Sequence, residues 1–541
     1  MKNKIKSKLK IINIKFCFFA LLTGILVMCP AIAEPVKLWE KTAGGSEQDE
    51  GYSVAVDSNN NIIVAGVTES FTGSSGDMDR DIWLIKYAPD GTVVWNKTAG
   101  GSFRDEGKSV AVDSNNNIII TGSIGYGGYR TSFFLSGYYS QFLEEGKVNE
   151  ALVKAFKDNN ITLSKDAKIT KRSDNVPEIT DGKMIYEVHV FNDKSIHIHG
   201  LRNSDMLTIK YDSSGNVLWN RTVDRTAWDY GKSVAVDSDD NVIAAGHSPS
   251  GLWEIGELII KYDSSGNVQW NKTAGKSSFD ELYGIAVDSN NNIIAAGFMR
   301  YSDIGYVWTI KYDSNGNMLW NKTASVGGWD RGYGIAVDSG DNIIVTGSAK
   351  IEYYGPRVCV WTMKYDSSGN LLWNKTARGV HNNSFDSGRS VAVDLNDNII
   401  VVGHTERIKE IENYETVVWK NTTYYVAEGR ESFYYAEPPV KRNYELWVIK
   451  YDPSGNLIWN KTEGGIDRDM GFGAAVDSSN NIVIAGATNS FGAGKGDAWV
   501  IKYRGDAEKQ KHDLNIYLIA GALTAILILL IIIMRRIKTI K

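Results

Sequence analysis

Apolar and polar positions alternate along this chain in short runs that return about every 50 residues. In the first copy, Ser53 to Gly66 reads SVAVDSNNNIIVAG. Val54 and Val56 alternate with Ser53, Ala55 and Asp57, a period of two that predicts a strand. Asp57 to Asn61 is turn chemistry, because Asp and Asn side chains bond nearby backbone amides and Asn tolerates positive φ. Ile62 to Ala65 is a β-branched second strand ended by Gly66, and Asp81 to Tyr87 predicts a third. Pro89, Asp90 and Gly91 then turn the chain into a fourth strand, Thr92 to Thr98. Later copies write this turn as Asp-Ser-Ser-Gly-Asn, whose glycine supplies the left-handed residue of a tight hairpin.

Four antiparallel strands at this period fit a propeller blade better than a solenoid or a sandwich. First strands centre on Val54, Val110, Val234, Ile285, Ile335, Val391 and Ala474. Fourth strands carry Trp39, Trp95, Trp219, Trp270, Trp320, Trp373 and Trp459. The repeat is out of phase with the chain: Trp39 precedes every first strand, and the last copy stops at Tyr503 without its own fourth strand. The expectation is an all-β, seven-bladed β-propeller with a one-strand Velcro closure. The Trp39 strand would complete the blade of Gly471 to Tyr503 and remove two open sheet edges.

The phrases Gly-Gly-Ser-x-x-Asp-Glu-Gly and Ala-Val-Asp-Ser-x-Asn-Asn-Ile, as in Gly100 to Gly122, recur with Asp-x-Trp-x-Ile-Lys-Tyr-Asp-x-x-Gly. Together they resemble the seven-bladed β-propeller repeat (SBBP) family over nearly all of Leu38 to Tyr503. That resemblance implies a scaffold of bacterial and archaeal surface proteins, with no common chemistry.

The termini read as targeting segments. Six lysines precede an apolar stretch from Phe16 to Cys29, and Ala31-Ile32-Ala33 offers a small-x-small cleavage site, so residues 1–33 are expected to be a signal peptide. Residues 506–515 read as a stalk. Residues 516–534 carry no charge and predict a transmembrane helix, and 535–541 form a basic tail expected to stay cytoplasmic. The expected location is thus the cell membrane, in a single pass with the ectodomain outside. The net charge of −5 becomes −15 once the six leader lysines and four tail cations are set aside, which argues against nucleic acid. Cys359 stands alone in residues 34–541, so no intrachain disulfide is available there.

Two interruptions fall between second and third strands, at 123–204 in blade 2 and 404–445 in blade 6. Both are therefore expected on the face opposite the tight turns, which points away from the membrane. The first reads as a small α+β insertion: a helix within Ser140 to Asn159, then strands at Ala167 to Lys171, Met184 to Phe191 and Ser195 to Gly200. Its His189, His197 and His199 would meet with Glu187 on one strand face, a possible zinc set set against a plain polar hairpin. The second is aromatic and reads as a hairpin around Gly429, with Trp419, Tyr424, Tyr425, Phe433, Tyr434 and Tyr435 as candidate contacts to a glycan or protein.

Two rings of seven aspartates recur with the repeat, at Asp49 and its counterparts and at Asp57 and its counterparts. Either ring could bind calcium, but a residue repeated in every blade more often bonds loop amides. Asn96, Asn220, Asn271, Asn321, Asn374 and Asn460 head N-glycosylation sequons on fourth strands. No nucleophile–base pair or phosphate loop stands out. The leading expectation is a membrane-anchored binding scaffold for an extracellular glycan, envelope component or protein. The alternatives are a surface-polymer-processing enzyme with the blade 2 insertion as lid, and a glycosylated structural protein.

Overall fold

The computed structural model describes residues 35–72, 80–101, 104–126, 132–135, 146–147, 150–158, 167–171, 177–181, 184–190, 196–201, 203–224, 229–248, 256–275, 280–301, 304–351, 357–379, 384–410, 414–419, 422–427 and 440–505. Seven four-stranded antiparallel sheets follow one another, the first built from Asp49–Val56, Ile62–Thr68, Asp81–Tyr87 and Val93–Ala99. In the seventh, Asp469–Val476, Ile482–Thr488 and Asp497–Tyr503 are joined by Lys37–Ala43, which pairs antiparallel with Asp497–Tyr503. Each first strand contacts the first strands of both neighbouring blades, so these strands line the central channel.

Burial follows from this placement. Second and third strands of blade 1 are buried at every position, whereas its fourth strand alternates between exposed and half-buried. Among the described residues the propeller core is divided into seven clusters, one per blade interface. Val54, Trp83 and Tyr87 of blade 1 pack on Val483 and Val500 of blade 7, and Ile63 and Leu84 of blade 1 pack on Val110 and Ile209 of blade 2.

Each first hairpin is shaped by its aspartate. Asp57 accepts from the amides of Asn59 and Asn61 at 3.0 and 2.8 Å, and Asn60 takes a φ of 62°. The residue at that positive φ also reaches the next blade. Ser58 N–H donates to Asn116 Oδ1, Ser114 N–H to Asp240 and Ser478 N–H to Asn60, part of a belt that closes from blade 7 onto blade 1.

Connectivity puts both hairpin turns of a blade on one face of the propeller and the remaining loops on the other. The first we call the turn face, the second the mouth face. Both insertions rise from the mouth face. In blade 2, the segment between Ile118–Tyr126 and Asn203–Tyr211 holds a six-stranded sheet and the helix Glu150–Asp158, which buries Leu152 and Phe156. In blade 6 the paired strands run well into the expected insertion, from Ile399↔Tyr451 out to Glu410↔Val440. Beyond them, Tyr414–Trp419 pairs with Thr422–Ala427. The paired strands are therefore Tyr414–Trp419 and Thr422–Ala427, not halves on either side of Gly429: in sequence, Lys420-Asn421 separates the Val-Val-Trp and Thr-Thr-Tyr-Tyr-Val runs that pair.

Among the described residues no helix is long and apolar enough to cross a membrane. The signal segment 1–33, the stalk 506–515, the span 516–534 and the tail 535–541 lie outside the described residues.

Candidate ligand-binding site at the channel mouth

A bulge in each first strand builds the site. In blade 1 the pairing with the second strand shifts between Gly51 and Ser53, leaving Tyr52 as the extra residue. Gly66 faces this bulge, and a Cβ there would lie 1.8 Å from the Glu50 carbonyl oxygen, so only glycine fits. The same shift recurs in the other six blades and singles out Lys108, Lys232, Tyr283, Tyr333, Arg389 and Phe472. All seven side chains are half-buried and gather near the mouth end of the channel.

These residues form a collar. Phe472 meets Tyr52 edge-on at 5.6 Å, and Lys108 lies over the Tyr52 ring at 4.1 Å. Farther round, Lys232 lies over Tyr283 at 5.2 Å, Tyr283 contacts Tyr333 at 4.9 Å, and Arg389 covers Tyr333 at 4.5 Å. The residue after each collar position varies with it. Where it is serine, as at Ser53, Ser109, Ser233 and Ser390, the hydroxyl accepts a backbone N–H of the neighbouring first strand. Where it is Gly284, Gly334 or Gly473, a Cβ would come within 2.9 Å of the next strand's backbone, and the collar residue there is aromatic.

The charges of the collar are unequal. Lys108 pairs with Glu106 at 2.8 Å, and Arg104 reaches the same carboxylate at 2.7 Å. Burial alone would raise the Glu106 carboxyl, but these two cations hold it down at about 2. Burial pushes the Lys232 ammonium below its usual range, and among the described residues no carboxylate lies within ion-pair distance of it. Arg389 Nε and Arg331 Nε are buried without a hydrogen-bond partner. His404, at the end of the same blade, is pushed down to about 3 by burial and by Arg389 and Arg468 beside it. Its counterpart His247 instead bonds Glu257 at 3.0 Å.

The turn face shows what repetition is for. Lys86 pairs with Asp57 at 3.0 Å and donates to the Ser213 carbonyl of blade 2. The Trp95 indole N–H reaches that same carbonyl. Every Asp57 counterpart has its lysine, at 2.7 to 2.9 Å. At the mouth end the Asp49 counterparts are likewise repeated and buried, and they accept from loop amides and hydroxyls: Asp49 from Gly45 and Ser70, Asp386 from Gly379, Ser384 and Thr405. Both aspartate rings thus hold loops together. Among the described residues no group of three or more His, Cys, Asp or Glu is placed to hold a metal ion.

One junction differs. Trp459 of blade 6 is buried and its indole N–H has no partner, because blade 7 has no hairpin between its third and fourth strands. A depression of 470 Å³ lined by Asn115, Lys210 and Trp219 also lies on the turn face, among these clasp residues.

Backbone register places His189 opposite His197 and Glu187 opposite His199. Tyr424 pairs with Val417, Tyr425 with Thr416 and Trp419 with Thr422. The side chains of these residues, and all of Phe433, Tyr434 and Tyr435, lie outside the described residues. Asn96, Asn220, Asn271, Asn321, Asn374 and Asn460 are all exposed on fourth strands. The collar itself escaped sequence reasoning, although its signal was present: it is the variable middle position of a phrase that otherwise reads Gly-x-Ser or Gly-x-Gly in six of the seven copies and Leu-x-Gly at Tyr283.

No protein-family model matches the chain. It is 22% identical over 508 residues to an uncharacterized WD repeat-containing protein of Acanthamoeba polyphaga mimivirus, covering 76% of this chain and 32% of that one. It is 29% identical over 120 residues to the regulatory protein FlaEY of Caulobacter vibrioides, covering 20% of this chain and 13% of the relative. The chain thus spans a third or less of the length of either. Among solved structures it is similar to Chaetomium thermophilum Sqt1, with 9% identity, 88% of this chain and 100% of that one covered, and a TM-score of 0.41. It is also similar to the Neurospora crassa Pan2 WD40 domain, with 8% identity, 84% and 89% covered, and a TM-score of 0.38. The seven sheets themselves settle the architecture: the chain is a repeat-built, seven-bladed β-propeller.

Proposed function

We propose that this chain is a membrane-anchored, extracytoplasmic binding scaffold of the kind the SBBP resemblance implies, recognising its ligand on the mouth face. The observation that carries the reading is that the collar and both insertions share one face. A rigid scaffold that displays its irregular loops together is a common way to build a recognition surface. The Lys37–Ala43 and Asp497–Tyr503 strands meet at the turn face, where the Arg504 N–H donates to the Val36 carbonyl. A stalk leaving there toward a span at 516–534 turns the mouth outward. The exposed sequons on the rim fit the same orientation, and glycans there would leave the mouth open.

The test is a full-length variant in which 411–439 is replaced by Asn-Gly, joining Glu410 to Val440, which are already paired. Surface protease accessibility and binding to a glycan array and to cell-envelope fractions are then measured. The reading expects an accessible, folded protein whose binding is reduced. An ectodomain protected from added protease on intact cells sinks the orientation. Binding left intact by this change, by loss of the blade 2 insertion and by collar substitutions sinks the mouth face.

A further inference from the structure

The collar is graded around the channel. Lys108 has an ion-paired carboxylate, whereas Lys232 and Arg389 have none within ion-pair distance among the described residues; Glu281, Glu257 and Glu106 act on Lys232 only from farther away. Between these two cations stand Tyr283 and Tyr333, in contact at 4.9 Å. The arc from blade 3 to blade 6 therefore reads cation, aromatic, aromatic, cation. We infer that this arc is a subsite for a carboxylated sugar chain, with Lys232 and Arg389 receiving carboxylates and the two tyrosines stacking against sugar rings. The inference rests on the mouth-face reading above and names its ligand class.

Three features favour this class. First, three cations of the collar, Lys108, Lys232 and Arg389, stand at the mouth of a chain whose net charge is negative, and of the three only Lys108 is ion-paired among the described residues. Second, the arc has an outward extension. Arg331 lies over Phe298 at 5.1 Å, Phe298 stacks on Trp329 at 5.9 Å and 18°, and Arg300 covers Trp329 at 5.2 Å. Trp329 is 36% exposed while Phe298 beside it is buried, so a ligand longer than one ring has one further aromatic contact, at Trp329. Third, an acidic peptide is the weaker fit. Peptides commonly add to a free strand edge, and here the first strands of blades 3 and 4 already give their Val234 and Ile285 amides to neighbouring serines.

The test uses full-length protein in detergent with three fluorescent probes: oligogalacturonate, its methyl ester, and polyglutamate of similar length. Oligogalacturonate should bind, and the ester should bind at least about tenfold more weakly, because each lost carboxylate removes a charge-assisted hydrogen bond. Lys232→Gln and Arg389→Gln should each weaken oligogalacturonate binding by about tenfold with an unchanged unfolding midpoint, and Lys108→Gln by less. Should Arg389→Gln unfold, Arg389→Lys keeps the charge and should bind with intermediate affinity.

Equal affinity for the ester, tighter binding of polyglutamate, no binding of oligogalacturonate, or folded Lys232 and Arg389 variants with native affinity would each overturn the subsite. The two readings fail separately. A neutral glycan lost on removal of 411–439 but indifferent to the collar removes the subsite and leaves the mouth face standing.

Discussion

On the turn face, all seven blades use the same aspartate to shape the same hairpin and the same lysine to neutralise it. On the mouth face, the same seven backbones bulge alike but present Tyr, Lys, Lys, Tyr, Tyr, Arg and Phe. The difference separates two jobs. Where every blade must meet its neighbour, the side chain is repeated; where only the backbone must be repeated, the side chain is free to specialise. Stability should therefore rest on the repeated side chains and recognition on the varied collar.

The largest expected effect breaks the turn face. Asp288→Ala leaves Lys311 buried without its carboxylate and removes the acceptor of the Asn290 and Asn292 amides. It should cost about 3–5 kcal/mol in equilibrium unfolding. Next, Gly347→Ala attacks the element the two faces share. Its Cβ would sit 1.8 Å from the Arg331 carbonyl oxygen beneath the Tyr333 bulge. A loss of roughly 1–3 kcal/mol is expected, together with weaker ligand binding, so this change should couple what the other substitutions separate.

Acid should weaken the faces in different windows. All seven turn aspartates are held below their ordinary value; burial opposes this, but the bonds from their Asn and Lys partners win. A folded pKa below the unfolded one gives stability that is present above about pH 4 and is lost as pH falls further. His404, pushed down to about 3 from an ordinary 6.5, stays neutral in the fold and begins to lose stability sooner, below pH 6.5. Its slope is roughly 1 kcal/mol per pH unit. A His404→Gln variant should remove the loss between pH 6 and 4.5 in thermal melts and keep the steeper one below (about pH 4).

The smallest effect concerns the seam. Trp270→Phe loses a hydrogen bond to the Ser314 carbonyl, whereas Trp459→Phe removes an indole N–H that has no partner. The first should cost about 1 kcal/mol more than the second in paired denaturation curves.

Much of the scaffold was legible in the sequence because its causes are local. Asp57 bonds amides two and four residues on, and Asn60 takes the left-handed φ its side chain tolerates. The buried lysines were less legible. Lys86 sits 29 positions from Asp57 in sequence, and only the folded blade brings them together. The collar was hidden for a related reason: Lys232, Tyr283, Tyr333 and Arg389 lie on four blades, so no window of sequence contains their juxtaposition. The blade 6 hairpin was less legible because Gly429 is the stronger local turn signal, whereas the pairing runs from Tyr414↔Ala427 to Trp419↔Thr422.

The central claim is that recognition falls to the varied collar and stability to the repeated side chains, and a paired measurement on one double variant tests it. For Lys232→Gln/Arg389→Gln, urea unfolding and oligogalacturonate affinity are recorded on the same preparation. The account predicts an unfolding midpoint within error of the parent and affinity weakened by on the order of a hundredfold, two tenfold losses combined. Native affinity in the folded double variant, or a collapse of stability comparable to that of Asp288→Ala, would contradict it.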